Sequence, residues 1–563
     1  MNSSIIASVS TACLLFAASA ESQSPGERDA ALGLLTSGHH AEAVDRYTDL
    51  TTTNPYDGVL WYYRGRAEVG ADQCANAIAS LSRALALGVS GDRSGLRAAL
   101  ISRAECHAML GNMGAALADI GEAQARWDYS DFGRIADNPA FQELITTPQY
   151  RALVGILPDG ATREQGWTAD LDFMASMIER RHINAFHSID RAAWLTEVAR
   201  IRSRIPVAED LELIGDMMRL AAALGDGHTA IFPPFAGPFG FHMASVRPTI
   251  LDGEWYVLGA DRDLPDLVGS RILKINNMPI RDYEAGLRAY ISSDNSLTYR
   301  ASGPLLTQFT EIAALVTSSP ESDAITYEVE LPDGQVQVIT VQGHGFNPAL
   351  LRAWPPSDMA TMADAAEPPL WLSRPQNMLW MEYLEESDLL YLKLDAIFDA
   401  PDISFQQFVE NFGNTLDETG AGHVVIDLRQ NDGGDATRNW SLLREIVRRP
   451  HLDQPGKVFI LIGRRTFSAA MIFAAQAERI LDVVFVGSPT ASSLTFYGET
   501  SVSQLPYSGL QLSVSSRYFQ NGASSDDNRP WIAPTMIAEL SAEDLIEGRD
   551  PAMDAVLRHL AGR

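Results

Sequence analysis

Two short apolar runs, each followed by a glycine turn, constrain the fold of this chain more than any other feature. The first, residues 424–426, suits a strand buried on both faces, and Gly433-Gly434 follows where backbone can approach another group closely. The second, Val458–Ile462, leads through a tight turn into Ser468-Ala-Ala470, which has the character of a helix start. This order predicts Ser468 near a helix N-terminus, where unpaired N–H groups and the positive dipole end face whatever binds beside its hydroxyl.

Strand-like and helix-like segments alternate along the whole C-terminal region. The predicted strands are 390–394, 424–428, Val458–Ile462 and 483–486, and the predicted helices lie near 405–416, from residue 436 and at Ser468. That order implies a parallel sheet with right-handed crossovers. No Gly-x-Ser-x-Gly elbow surrounds Ser468, which disfavours an α/β-hydrolase.

Several motifs in fixed order resemble the tail-specific protease family, which includes the C-terminal processing peptidases and the tricorn core. The motifs are Leu224-Gly-Asp-Gly-His228-Thr229, Asp427-Leu-Arg429, Asn431-x-Gly433-Gly434, Thr466-x-Ser468-Ala469, Tyr497-Gly498-Glu499 and Gly548-Arg-Asp-Pro551. Together they cover roughly residues 165–563. The resemblance implies a crotonase-like α/β catalytic domain, assigned here to residues 370–563.

The resemblance also implies a set of catalytic residues. A neutral serine hydroxyl needs a base within hydrogen-bond reach and N–H donors aimed at the developing oxyanion. The processing peptidases use a lysine after the serine, but Ser493 stands at the corresponding point here and no lysine follows Ser468. The chain therefore resembles the tricorn-like arrangement, in which Ser468 is the nucleophile, His228 the base and Glu499 the orienting carboxylate. The oxyanion donors are then the backbone N–H groups of Gly433 or Gly434 and of Ala469.

Each of these assignments has a structural alternative that the sequence leaves open. The alternatives to the catalytic assignment are Ser468 as an ordinary helix N-cap, His228 as a loop residue satisfied by backbone, and Glu499 as a surface carboxylate. Asp226 lies too close to His228 in sequence to face it readily. Asp427 and Arg429 are interpreted as holding strand and loop together.

The N-terminal region contains an internal repeat. Ala43, Ala77 and Ala116 are spaced 34 and 39 residues apart. A large apolar residue follows each of them after four positions, and a leucine or an alanine follows after seven. The pattern resembles tetratricopeptide repeats and predicts paired helices over residues 25–156. Such an array offers either a concave surface for a peptide or protein partner or a packing spacer. Cys74 and Cys106 fall on neighbouring helices, so a disulfide and two buried thiols both remain open.

Two further segments precede the catalytic region. Residues 165–240 have helical periodicity, with Leu171, Met174 and Ile178 on one face, and end in the His228 loop. Residues 241–345 are strand-like between Asp-Gly and Asn-Asn turns. The stretch from Asp266 to Asn277 resembles the core of a PDZ domain, where a peptide adds a strand to the sheet edge. The alternative is a small β domain that only packs against its neighbour.

Composition and motif content exclude several functions. The net charge of −29 disfavours nucleic acid and anionic membranes as partners, because either needs clustered Lys and Arg. No zinc-type ligand spacing and no phosphate-binding loop occurs, so neither a metal nor another cofactor is expected.

The first twenty residues look like a targeting segment. Residues 5–20 are apolar and end in Ala18-Ser-Ala20, which predicts a secretory signal cleaved after Ala20, although an uncleaved tail is the alternative. No interior stretch is long enough to span a membrane, so membrane insertion after cleavage is not expected. These features predict a periplasmic or secreted protein.

The sequence as a whole therefore predicts a multidomain chain: tetratricopeptide-like helical repeats, a small PDZ-like β domain and a crotonase-like α/β catalytic domain. The predicted activity is hydrolysis of polypeptides through a Ser468 acyl-enzyme. Two alternatives remain, a catalytically inactive peptide-binding scaffold and an esterase-like acyl hydrolase on the same nucleophile.

Overall fold

The computed structural model of the chain describes residues 25–89, 93–351, 354–356, 359–364 and 367–562. The predicted signal segment lies outside these residues. The chain divides into two compact units, one ending at Ile156 and one beginning at Leu157. Among the helices of the described residues, none is both long and apolar enough to cross a bilayer.

The first unit consists of helices in consecutive antiparallel pairs. They are α1 (Pro25–Thr36), α2 (His40–Thr53), α3 (Gly58–Gly70), α4 (Cys74–Leu87), α5 (Arg93–Met109), α6 (Met113–Trp127), α7 (Phe132–Asp137) and α8 (Pro148–Val154). The three repeat alanines lie on α2, α4 and α6 and are fully buried. Small side chains at these positions let paired helices approach closely. The predicted helical character of this region is confirmed.

The two cysteines of this unit occupy the predicted neighbouring helices. Cys74 begins α4 and Cys106 lies on α5, and both are buried in one apolar cluster. Both thiols are free. Burial, followed by the proximity of Cys74, raises the pKa of the Cys106 thiol. Cys106 is therefore an inert buried thiol.

The second unit is larger and mixes helices with three sheets. Its helices are α9 (Arg163–Arg181), α10 (Arg191–Arg204), α11 (Asp210–Ala222), α12 (Ile280–Leu287), α13 (Tyr299–Leu306), α14 (Thr310–Thr317), α15 (Phe405–Thr419), α16 (Asn439–Val447), α17 (Ala469–Ile480), α18 (Ala542–Ile546) and α19 (Pro551–Ala561). Leu171, Met174 and Ile178 are fully buried on α9, as their spacing predicts.

The strands of the second unit are short, and most are bounded by turns that contain glycine, asparagine or aspartate. They are β1 (Ala230–Ile231), β2 (Met243–Ala244), β3 (Val246–Leu251), β4 (Glu254–Asp261), β5 (Arg271–Ile275), β6 (Met278–Pro279), β7 (Ala324–Glu330), β8 (Val336–His344), β9 (Met359–Thr361), β10 (Leu379–Leu384), β11 (Leu389–Leu394), β12 (His423–Asp427), β13 (Val458–Ile462), β14 (Val483–Gly487), β15 (Thr495–Gln504), β16 (Gln511–Gln520) and β17 (Met536–Ile537).

Strands β2 to β9 form an eight-stranded antiparallel sheet with the path β2-β8-β7-β5-β4-β3. Its β5 lies within the region predicted to be strand-like, and Asn276 and Asn277 follow it at positive φ, in the predicted Asn-Asn turn. Residues 241–345 contain strands β2 to β8, but they also contain the helices α12, α13 and α14, which the predicted strand-like character does not include.

The six-stranded sheet that carries the candidate nucleophile has the order β10-β11-β12-β13-β14-β17. Strands β11 to β14 and β17 are parallel, and β10 is an antiparallel edge. All five residues of β13 are fully buried, as expected for a strand covered on both faces. The predicted parallel sheet is therefore confirmed.

A third sheet, β1-β16-β15, was not predicted from the sequence. Strand β1 directly follows His228-Thr229 and pairs with β16, with Ala230 opposite Ser513. The Ser513 hydroxyl also donates to the His228 carbonyl at 2.9 Å. This sheet fixes the His228 loop against the segment that follows β14.

Arg429 holds the end of β12 to the start of α19. It makes ion pairs with Asp427 at 2.7 Å and Asp550 at 2.8 Å, and Tyr391 donates to Asp427 at 2.6 Å. Burial alone would raise the pKa of Asp427, but the Arg429 charge and hydrogen bonds outweigh it and lower this pKa to about 2. Asp427 and Arg429 thus stabilise the sheet, as interpreted from the sequence.

The ionised Asp427 is expected to make the second unit acid-sensitive. Its folded pKa lies below its unfolded value, so its contribution of about 2 kcal/mol is present above pH ~4 and is lost as the pH falls toward 2. Denaturant unfolding of wild type and Asp427→Asn across this range measures the difference, with Asp453→Asn as an exposed control. An identical pH dependence in wild type and Asp427→Asn would contradict the role.

Candidate active site

Ser468 occupies an unusual backbone conformation at the start of α17. Its φ is +53° and ψ is −120°, a region that L-residues rarely adopt. It holds the N-cap position, yet its side chain makes no capping hydrogen bond. The Ser468 Oγ instead lies 3.0 Å from His228 Nε2. The ordinary N-cap alternative is therefore excluded, and such strain is characteristic of functional positions.

The turn before Ser468 is fixed by buried polar groups on neighbouring strand ends. The Thr466 hydroxyl donates to the Leu428 carbonyl and accepts from the Gly463 N–H, both at 2.9 Å. The Phe467 N–H donates to the Asn431 carbonyl at 3.1 Å. These bonds join the ends of β12 and β13, which explains why the Asn-x-Gly-Gly and Thr-x-Ser segments come together.

His228 is held between two phenyl rings. Phe467 and Phe496 stack on it at centroid distances of 4.6 and 5.2 Å. With its Nε2 at Ser468, the ring turns its other nitrogen inward, and this buried Nδ1 makes no hydrogen bond to any described residue. The loop alternative, in which backbone satisfies the His228 ring, does not hold.

Glu499 makes no hydrogen bond to the His228 ring, since Nε2 contacts Ser468 and Nδ1 has no hydrogen-bond partner among the described residues. Along β15, Phe496 and Gly498 are buried, whereas Glu499 is exposed, because alternate residues of a strand face opposite sides. Phe496 uses the inward side to stack on His228, so Glu499 points away from the ring. Its carbonyl accepts from the Ser516 hydroxyl at 2.6 Å.

Asp294 is the carboxylate that sequence reasoning missed. One oxygen each of Asp226 and Asp294 and one ring nitrogen of His228 lie within 4.8 Å of one another. Asp294 accepts from the Gly227 N–H at 2.7 Å and the Ser492 hydroxyl at 2.8 Å. Burial raises the Asp294 pKa, while the nearby His228 charge and the Gly227 N–H lower it.

Asp226 is already committed to other groups. It accepts from the His228 N–H at 2.9 Å and the Thr229 hydroxyl at 2.6 Å, and the buried His182 ring lies 3.0 Å away. Burial would raise the Asp226 pKa, but the bonds from His182 and Thr229 outweigh it and lower the pKa. Asp226 therefore fixes the loop backbone, which leaves Asp294 as the carboxylate for the ring.

Asp226, His228 and Asp294 are also the residues best placed to hold a metal ion among those described. A cation there would have to displace the bonds from Thr229 and Ser492 that these carboxylates already accept. The arrangement of donors thus fits acid–base chemistry better than metal binding.

The two glycines after β12 differ in their hydrogen bonds. The Gly433 N–H donates to the Asn431 side chain at 2.8 Å, so it is occupied. Within the described residues, the amides of Gly434 and Ala469 donate no hydrogen bond. A Cβ at Gly433 would meet the Ser468 Cβ at 2.7 Å, which explains why glycine is needed there. The free donors beside the hydroxyl are those of Gly434 and Ala469.

Comparison with known proteins identifies the fold of this chain. No family model and no curated protein matches the sequence. Mature CPAF complexed with lactacystin and mature CPAF each superpose with a TM-score of 0.53 at 14% identity, covering 71% of this chain and 99% or 98% of theirs. A photosystem II D1 C-terminal processing protease matches with a TM-score of 0.34 at 15% identity, over 71% of this chain and 98% of its own. The chain has the fold of the CPAF structures.

Proposed function

We propose that this chain is a serine peptidase of the tail-specific protease type, in the branch without a catalytic lysine. The observation that carries the proposal is the 3.0 Å contact between Ser468 Oγ and His228 Nε2, which joins residues 240 positions apart. The strained Ser468 backbone and the unoccupied amides beside it support the same function.

The proposed reaction proceeds through an acyl-enzyme. Ser468 Oγ attacks the carbonyl carbon of the peptide while its proton passes to His228 Nε2. The resulting oxyanion accepts from the Gly434 and Ala469 N–H groups. His228 then returns the proton to the leaving amine, and water hydrolyses the ester by the reverse sequence.

We assign the positioning of His228 to Asp294. The imidazole gains a positive charge when it takes the serine proton, and a carboxylate within 4.8 Å stabilises that charge. Asp294 is held by the Gly227 N–H and by Ser492, with a further bond from Ser493 to its carbonyl. The segment where the processing peptidases carry a lysine thus supports the His-orienting carboxylate here.

Three further proposals concern the domains, the location of the protein and the helical repeats. We propose that the α/β domain is crotonase-like, that the β domain is PDZ-like, and that the protein acts in the periplasm or outside the cell. On the helical repeats, a cavity of about 460 Å³ lined by Tyr62, Arg66, Arg97, Tyr129 and Arg134 supports a surface for a protein or peptide partner.

Labelling with a fluorophosphonate serine probe tests the proposal. We expect the wild-type protein to be labelled and Ser468→Ala to remain unlabelled, because the activated hydroxyl is the group that the probe phosphonylates. Ser441→Ala, a hydroxyl on α16 outside the site, is the matched control and should label like wild type. A folded but unlabelled wild type would favour the inactive scaffold, and turnover of small esters without peptides would favour the esterase.

A further inference from the structure

Strand β8 presents an open edge of the eight-stranded sheet. On one side it pairs with β7 over residues 336–342. On its other side β2 pairs with Gly343 and His344 alone, at the very end of β8. Within the described residues no strand pairs with the remainder of this outer edge. Residues 336–342 therefore form an edge strand without a neighbour on the outer side.

One hydrogen bond fixes which backbone groups of β8 point outward. The Gly343 N–H donates to the Asp323 carbonyl at 2.7 Å, so it points to the β7 side of the strand. Successive residues of a strand direct their N–H and C=O groups to opposite edges, so those of Val336, Val338 and Thr340 point away from β7. Among the described residues these outward groups make no backbone hydrogen bond.

The sequence of this edge does not protect it from pairing. Residues 336–342 read Val-Gln-Val-Ile-Thr-Val-Gln and contain neither a charge nor a proline. Val336 and Val338 are 58% and 65% exposed, on the same face of the strand as Thr340. By contrast, β10 and β15, edge strands of the other two sheets, each contain a glutamate. Since charges and prolines are what usually keep an edge strand from pairing, β8 is open to an added strand.

The charges beside this edge are balanced, although the chain carries a net charge of −29. Glu328 and Glu330 are the charged residues of β7, the neighbouring strand. Lys274 pairs with Glu328 at 2.9 Å, and Arg271 pairs with Glu330. Two copies of so acidic a chain repel each other over most of their surfaces. At β8, in contrast, a second copy meets an uncharged strand beside paired carboxylates.

We propose that two copies of this chain associate through β8, with the two strands antiparallel about a two-fold axis at Val338. In this register Val338 lies opposite Val338 of the partner subunit, and Val336 lies opposite the partner's Thr340. Each such pair exchanges two hydrogen bonds, so the pairing satisfies all the outward groups of the three residues and ends before Gly343, where β2 begins. β-branched side chains then face one another across the strands, which favours the pairing. The inference does not depend on the proposed peptidase function.

Sedimentation velocity on the purified full-length chain over a range of concentrations tests the association. We expect wild type to form dimers, and Val338→Lys to raise the dimer Kd by about tenfold or more, because it places two like charges opposite each other. Val338→Pro is a second variant in case the first fails to fold. It removes an N–H that points away from β7, and edge strands tolerate proline at such positions. Val502→Lys, at a β15 valine that is 55% exposed, is the matched control and should dimerise like wild type.

A cysteine cross-link tests the register. Opposite residues of a hydrogen-bonded pair have Cα atoms about 5.5 Å apart, a distance that a disulfide spans. Val338→Cys should therefore form a covalent dimer on oxidation, whereas Val502→Cys should not, and the buried Cys74 and Cys106 do not compete. A dimer that persists unchanged in both Val338→Lys and Val338→Pro, or that Val338→Cys does not cross-link, would overturn the proposal. A monomeric wild type would also overturn it, in favour of an extended segment of another protein at this edge.

Discussion

Replacing His228 with alanine is expected to lower the rate of peptide hydrolysis by about 10⁴- to 10⁶-fold. Without the imidazole, Ser468 has no described group in hydrogen-bond contact to take its proton. Loss of the base should lower kcat, because the His228 ring, which is held between Phe467 and Phe496, acts on the nucleophile. The measurement is kcat and KM on a fluorogenic peptide selected with the wild-type protein.

A matched histidine controls for loss of the fold. His451 is exposed in the turn before β13, and His451→Ala should keep wild-type turnover. Circular dichroism and thermal unfolding establish that His228→Ala is folded. A folded His228→Ala protein that retains turnover within about tenfold of wild type would show that the Ser468–His228 contact is structural.

The sheet that carries Ser468 was predictable because its signals are local. A run such as Val458–Ile462 is continuous and apolar, and glycine or asparagine marks its end, so a short window of sequence defines the strand. The resemblance then placed Ser468 and His228 in one site, and the structure brings them within 3.0 Å. Helix and strand positions therefore needed little information from distant residues.

The carboxylate partner of His228 could not be predicted in this way. Asp294 lies in a loop between α12 and α13 with no motif around it, and it reaches the site through contacts to Gly227 and Ser492, which are 67 and 198 positions away. The family resemblance alone points to Glu499. The alternation of side chains along β15 disfavours Glu499 as the partner of His228. In the register of β15 with β16, Phe496 faces inward and Glu499 faces outward.

The distinction between Gly433 and Gly434 also depended on tertiary structure. Both glycines follow the same strand. The buried Asn431 side chain accepts a hydrogen bond from the Gly433 N–H, whereas the Gly434 N–H donates none within the described residues. Asn431 in turn donates to the Leu394 carbonyl at 3.0 Å, so β11 fixes the orientation of the amide. A one-dimensional motif cannot specify which of two adjacent donors is free.

Asp294→Asn is expected to lower kcat by about 10²- to 10⁴-fold with a smaller change in KM. The substitution keeps the shape and the hydrogen bonds to Gly227 and Ser492 within reach, but it removes the negative charge that stabilises imidazolium. Loss of that charge leaves the imidazolium less stabilised, so the acidic limb of the kcat/KM profile should shift to lower pH. A purely structural role would not move this limb.

Glu499→Gln provides the opposing test, because the resemblance and the structure assign the orienting role to different carboxylates. Glu499 is exposed, and its side chain makes no hydrogen bond to the His228 ring, so Glu499→Gln should keep turnover and the pH profile of wild type. The reverse result, an active Asp294→Asn and an impaired Glu499→Gln, would mean that β15 rearranges when substrate binds. Impairment of both would indicate that each carboxylate contributes to the reaction, Asp294 from beside the His228 ring and Glu499 from β15.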